Sequence, residues 1–265
     1  MRSTHRFDRS AKLIAALNTE FFIAPMTQIT PLFKREFLGY FRSPVAYVFL
    51  SVFLFASVGL AFFIGGFFKA NSATLGSFFT FHPWLFLFLI PAAGMRLWSE
   101  EKRTGTIELL FTLPITTLEA VLSKFLAAWA FLTIAILLSF PMIFTVGFLG
   151  DPDWGVIATS YLGSILMGGA YLGVCTVTSA LTKNQVISFV LSVLVCFVIL
   201  LLGWSVFNEV LASLFPIWLV DVIANFSFIT HYEPFTKGIV DPKDLLYFLS
   251  LIGFSLFINV LVLER

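Results

Sequence analysis

Histidine, cysteine and clustered carboxylates are the side chains that most often make or break bonds, and in this chain they are few and poorly spaced for it. The three histidines, His5, His82 and His231, lie far apart, and none is followed by Glu, so the His-Glu-x-x-His zinc pattern is absent. An intramembrane serine protease would need Ser and His within the bundle, and His82 with some serine is the combination the chain leaves open. Cys175 and Cys196 sit inside apolar runs and read as small buried hydrophobes. No Gly-Lys dipeptide occurs, which excludes a phosphate-cradling Walker loop, and no two glycines stand two apart, which excludes a dinucleotide fingerprint. The chain therefore reads as a non-enzyme, with no catalytic residue, metal or cofactor of its own.

The elements are apolar helices. Hydrophobic residues make up 59% of the 265, Phe alone numbers 34, and 12% are charged, against about a quarter in a soluble domain. That composition excludes a disordered chain, a secreted mini-domain and an ordinary soluble enzyme. Six long stretches carry no charge: 43–68, 70–95, 125–150, 154–182, 184–208 and 245–263. Each approaches or exceeds the roughly 20 residues that cross a bilayer as a helix. The ten-residue alternation of a transmembrane strand is missing. The expected fold is an all-α polytopic membrane protein with six transmembrane helices, at about 45–68, 78–98, 119–149, 157–182, 186–207 and 244–263.

Placing the N-terminus in the cytoplasm puts 13 of the 16 Lys and Arg inside, leaving Lys69, Lys237 and Lys243 outside. Positive charge favours the cytoplasmic side, so both termini are expected there. The span cores hold no acid, which argues against an ion-coupled carrier. Arg96 and Lys124, near inner helix ends, read as snorkelling cations.

Residues 1–26 form a polar, basic tail, and Met26 offers an alternative start. Within 27–44, Phe33, Phe37 and Phe41 recur at helical spacing beside Lys34, Arg35 and Arg42, as in an amphipathic helix lying at a membrane surface. Ser43-Pro44 turns the chain into the first span. Pro83 and Pro91 predict a second span that is bent or begins near Pro83. Thr116 and Glu119 form a capping box before the third. Residues 208–243 hold Leu211, Leu214, Trp218 and Val222 but are cut by Glu209, Pro216 and Asp221; one or two helices lying at, or dipping into, the outer leaflet are expected. Asp241 should cap the last span, with Pro242 at its first position. Gly169 and Gly173 permit close helix approach, more often within one chain than between two.

One segment remains. From Glu100 to Pro114 the chain reads EEKRTGTIELLFTLP. Gly105 and Pro114 bracket a short helix, with Thr106 as candidate N-cap and Glu108 in the first turn, complementing the helix dipole. Ile107, Leu109, Leu110 and Phe111 are many apolar residues for a solvated loop. Such a helix suits docking in another protein's groove, or packing on its own bundle.

The run Glu101-Lys102-Arg103-x-Gly105-Thr106-Ile107-Glu108-Leu109-Leu110, then Pro114 and Lys124, resembles the inner-loop motif of ABC-2 type transporter permeases. Lys34-Arg35-Glu36-Phe37 with Tyr40-Phe41 and Ser43-Pro44, and Gly238-Ile239-Val240-Asp241 with Asp244 and Tyr247-Phe248, are similar to the branch of gliding-motility (GldF) and NosY-like permeases. The resemblance covers about residues 30–265 and implies a type V exporter-like fold: an interfacial connecting helix, a six-helix permease domain over 45–265 and a re-entrant element before the last span. It implies a dimer, with a second copy or a paralogue, in a bacterial inner membrane. ATP would be bound by a separate ATPase subunit. Residues 99–113 would be the coupling helix on that ATPase: Glu101, Arg103, Thr106 and Glu108 supply polar contacts, and Leu109 and Leu110 the apolar anchor. Phe33, Lys34, Arg35, Phe37 and Phe41 would mark the connecting helix. Expected partners are the ATPase, the second permease, membrane lipids and an external accessory protein, with no nucleic acid. The implied function is export of an apolar or amphipathic substrate; the alternative is transmission of ATP-driven force to an envelope machine. A stand-alone channel ranks third.

Overall fold

The computed structural model describes residues 29–68, 73–112 and 114–264, and every regular element among them is helical. The tail through residue 26, with the alternative start, lies outside the described residues.

An amphipathic helix α1 (Ile29–Arg42) leads at Ser43 into α2 (Pro44–Gly59), which ends in a single π turn, Leu60–Ile64. Ser43 Oγ accepts from Val45 N (3.3 Å) and Pro44 occupies the first turn, where its missing N–H costs nothing. A short α3 (Gly76–Thr80) precedes α4 (His82–Gly94), and two small helices follow, α5 (Ser99–Thr104) and α6 (Thr106–Phe111). The expected capping box is present: Glu119 N donates to Thr116 Oγ1, and Thr116 N donates to Glu119 Oε2, opening α7 (Thr117–Leu137). A turn joins it to α8 (Pro141–Leu149). Next come α9 (Trp154–Leu181), capped by Asp153, and α10 (Gln185–Leu201), capped by Asn184. Three short helices, α11 (Ser205–Leu214), α12 (Ile217–Ala224) and α13 (Phe228–Thr236), lead to α14 (Pro242–Leu263). Asp241 caps α14, accepting from Lys243 N (3.0 Å), with Pro242 in its first turn as expected.

Among the described residues four stretches are long and apolar enough to cross a membrane: Pro44–Ile64, Thr117–Leu149, Trp154–Leu181 and Pro242–Leu263. A fifth arises if α10 and α11, bent by 69° at their junction, count as one. The expected second span departs from this pattern. It starts at His82, with Pro83 in its first turn, but α4 has only 13 residues, about 20 Å at 1.5 Å per residue.

The central post is α9. Of its most apolar 18-residue stretch 83% is buried, against 22% for α2 and for α14, so the other helices are arranged around it. Its small residues make this possible. A Cβ on Gly169 would lie 2.8 Å from Trp129 Nε1 on α7, and one on Gly173 would lie 3.1 Å from Ser255 Cβ on α14. The Gly169–Gly173 pair thus serves packing within this chain.

The region 208–243 holds more helices than the one or two expected. It holds three helices or parts of them, and the last enters the core: Phe228, His231, Tyr232 and Phe235 on α13 are buried, and Tyr232 Oη meets Ser164 Oγ on α9 at 2.8 Å. Their i, i+3, i+4, i+7 spacing is the signature of one buried helix face, and it was legible in the sequence. By contrast α11 buries no residue and α12 only Val220.

Candidate functional site

The elbow between α4 and α6 is held from two sides. Residues 95–98 end one helix and begin another, leaving orphan carbonyls and amides that need partners. Ser179, near the end of α9, supplies them. Its Oγ accepts from Trp98 N (3.0 Å) and Ser99 N (3.1 Å) and donates to Met95 O (2.9 Å). Lys102 Nζ donates to the Ala180 carbonyl. Burial, and then the nearby Lys183, lower the Lys102 pKa; both disfavour the ammonium form.

The second hold is ionic. On α1 an inward-facing stripe runs Leu32, which is buried, then Glu36 and Tyr40, which are half-buried, alongside the Phe33, Phe37, Phe41 row, and Tyr40 stacks on Phe131 of α7 with centroids 4.9 Å apart. This stripe brings Glu36 to Lys124, whose side chain is only 5% exposed. Lys124 Nζ lies 2.8 Å from Glu101 Oε1 and 3.3 Å from Glu36 Oε2, and 5.3 Å from the centre of the Trp98 ring. One ammonium, with three protons to donate, thus joins α1, α5 and α7. Burial alone would raise the Glu36 pKa; Lys124 and Arg35 outweigh it, so its carboxyl titrates below the ordinary range. The snorkelling expected of Lys124 is corrected here: two carboxylates meet it inside the protein, so its head has no need to reach for water.

Beyond the elbow, Gly105 takes φ +75°, a left-handed conformation that suits residues without Cβ. It lets α6 leave α5 at a new angle. The N-cap of α6 is Gly105 and not Thr106, whose Oγ1 pairs with Thr104 Oγ1 at 2.9 Å. Glu108 does lie in the first turn.

The model of the family described as ABC-2 family transporter protein matches residues 32–203, from α1 through α10. That is well over half of the chain. The chain belongs to the ABC-2 transporter family. Members are multi-pass membrane subunits of ABC transporters, not themselves catalytic, which work with an ABC ATPase subunit. No curated protein is similar enough to the chain to match it.

Within this ABC-2 subunit the site residues expected from sequence divide into two groups. Arg103, Thr106, Glu108 and Leu109 are exposed, Leu109 by 67%. Arg103 makes only a long contact with Glu100, 3.9 Å. Glu101 and Leu110 point elsewhere. Glu101 is bound to Lys124, and Leu110 is 5% exposed within the hydrophobic core. Both side chains are engaged within the chain itself. On α1, Lys34 and Arg35 are exposed, with Arg35 paired to Glu36 at 2.7 Å, while Phe33, Phe37 and Phe41 are half-buried in a ladder of rings 5.6 and 5.2 Å apart.

The roles of Glu36, Ser179 and Lys102 were missed. For Glu36 a signal existed, because it stands four residues from both Leu32 and Tyr40 on one helix face. For Ser179 none did. At the other end of the bundle, His231 lies between Asp244 Oδ1 (2.6 Å) and the Asn225 carbonyl (2.8 Å) and stacks on Tyr247, centroids 3.9 Å apart. This joins α13 to α14. Among the described residues no group of three His, Cys, Asp or Glu could hold a metal ion.

Proposed function

We propose that this ABC-2 subunit is the dimeric permease of an exporter in a bacterial inner membrane, with both termini cytoplasmic, and that α5–α6 is its coupling helix. The carrying observation is the two-faced build of that element. One face presents Arg103, Thr106, Glu108 and Leu109 to the exterior; the other is fastened to α1, α7 and α9 through Lys124, Ser179 and Lys102. A partner that moves the exposed face must then move three helices together, which is the mechanical requirement for coupling without chemistry in the membrane subunit. ATP closure of the ATPase pair displaces α5–α6, α1 tilts with it as the connecting helix, and the spans reopen the path for substrate. On this reading α3, α4 and the elbow together make the second of six crossings, and α11–α12 form the re-entrant element on the outer side. The Phe-rich walls favour an apolar or amphipathic cargo. The GldF and NosY-like branch is the assignment we favour within the family.

Co-purification with the cognate ATPase in mild detergent tests this. Wild type should co-elute; Glu108→Lys and Leu109→Asp, both exposed, should abolish it while leaving the permease monodisperse. A wild type that binds no ATPase, or variants that bind as well, would overturn the assignment of α5–α6.

A second reading has one observation in its favour. No residue of α11 is buried, and Val210, Leu214, Ile217, Trp218 and Val222 are exposed over α11–α12, a surface that suits an external partner of a force-transmitting complex. In proteoliposomes, stimulation of the ATPase by an apolar cargo supports export; stimulation only by an envelope protein supports force transmission.

A further inference from the structure

Where α12 ends, three successive carbonyls are taken up by side chains of the two helices that follow. Ala224 O accepts from Thr230 Oγ1 (2.7 Å), Asn225 O from His231 Nε2 (2.8 Å) and Phe226 O from Tyr247 Oη (2.7 Å). A helix C-terminus leaves such acceptors without partners of its own. These bonds matter because α11 buries no residue and α12 only Val220, so packing does little to hold the pair against the bundle.

The middle contact differs from the other two. The His231 ring lies between two groups that accept: the Asn225 carbonyl, and Asp244 Oδ1, 2.6 Å from Nδ1. A neutral imidazole has one N–H, and only the imidazolium donates from both nitrogens. The surroundings favour that charge on the ring. Asn225 stands at the C-terminal end of α12 and Asp244 in the first turn of α14, where the helix dipoles favour a cation and a carboxylate respectively. The ring also stacks on the Tyr247 face, centroids 3.9 Å apart. His231 is 3% exposed and Asp244 5%, so loss of the ring proton leaves a buried carboxylate without its counter-charge.

The other charges nearby are engaged or stand at the rim. Lys243 Nζ reaches Asn225 Oδ1 (3.4 Å), Asp241 caps α14, Glu233 and Lys237 pair with each other (2.6 Å), and Asp221 is exposed. The helices α3, α9 and α10, also packed on α13, carry no Asp, Glu, Lys or Arg. Their titratable groups are Tyr161, Tyr171, Cys175 and Cys196, and His82 of α4 meets the Tyr232 hydroxyl (3.4 Å).

We propose that His231 is a pH-sensitive clasp: doubly protonated, it fastens the end of α12 to the start of α14, and loss of either ring proton frees α11–α12 to swing from the bundle. The direction follows from the proton count. The clasp is complete at low pH; as pH rises, the neutral ring keeps one bond and turns a lone pair toward the other acceptor. The inference rests on this end of the bundle alone and holds for export and force transmission alike.

Spin labels on Ser213→Cys in α11 and Ser250→Cys in α14, both exposed positions, measure the separation by pulsed electron resonance, with Cys175 and Cys196 buried out of reach. For the full chain in nanodiscs, the ratio of long to short distance should rise roughly tenfold between about pH 5.5 and about pH 8.5, the worth of one hydrogen bond to a charged group. Asp244→Asn should hold the short distance throughout, because its amide donates to a neutral ring whose remaining N–H still meets Asn225. His231→Gln, with no ring to titrate, should give one ratio at both pH values. A wild-type ratio that ignores pH, an Asp244→Asn variant that opens like wild type, or a His231→Gln variant that keeps the tenfold change would overturn the proposal. Should Asp244→Asn fail to fold, the ring nitrogen chemical shifts of His231 decide: two N–H groups at low pH and one at high pH support the clasp, and one throughout sinks it. No arm involves the ATPase, so the coupling assignment stands or falls separately.

Discussion

Replacing Lys124 by Met should loosen α1 and the elbow together. The methionine keeps most of the side-chain volume, so the loss is chiefly that of the ammonium. At 2.8 and 3.3 Å from its two carboxylates, each gross attraction is about 5–6 kcal/mol at an effective dielectric constant near 20. Most of that is offset by the cost of taking the ammonium out of water. What remains on removing one member of a buried ionic group is typically about 3–5 kcal/mol. The side chains of Glu36 and Glu101 are 21% and 20% exposed, and water can reach them in part, which places the expected loss near the lower figure. At about 2–4 °C per kcal/mol for a chain of this size, the thermal midpoint in detergent should fall by roughly 10 °C. Tryptophan emission is a suitable readout because Trp98 lies beside the ammonium. The decisive control is the triple variant Lys124→Met, Glu36→Gln, Glu101→Gln. It leaves no uncompensated buried charge and should recover much of the loss. Glu101→Gln alone, which keeps the Glu36 pair, should cost about 1.5–3 kcal/mol. A Lys124→Met midpoint within about 1 °C of wild type would refute the ionic bridge, and so would a triple variant no more stable than the single one, since the cost would then lie in packing.

Two further outcomes follow from the same neighbourhood. Because the Glu36 carboxyl is held below its ordinary range, its contribution is present above the unfolded carboxylate range and is lost as pH falls through the folded value; the midpoint should drop on acidification below about pH 4.5, and Glu36→Gln should flatten that drop. Ser179→Ala strands the Trp98 and Ser99 amides of the elbow, while the Met95 carbonyl keeps the Ser99 hydroxyl, and should cost about 1–3 kcal/mol, with faster amide exchange at Trp98 and Ser99 than at the capped start of α7; unchanged exchange there would show that Ser179 does not hold the elbow.

Local chemistry wrote much of this structure directly into the chain. Thr116 with Glu119, Asp241 with Pro242 and Ser43 with Pro44 cap helices through atoms two or three residues away, so neighbours in sequence suffice. Charge-free runs place most of the apolar helices for the same reason: a membrane rewards an uninterrupted apolar stretch whatever surrounds it. The short helix Thr106–Phe111 was legible too, in the bracket of Gly105 and Pro114. Tertiary structure decided which face of each helix turns inward. Leu109 and Leu110 are adjacent and equally apolar, yet one is 67% exposed and the other 5%. Glu101 serves Lys124 because α7 happens to lie beside α5, and Ser179 serves the elbow from 80 residues away. Such partners are chosen by the packing of helices that are distant in sequence, where each orphan polar group accepts whatever donor or acceptor the bundle brings within about 3 Å. No periodicity within one helix records that choice.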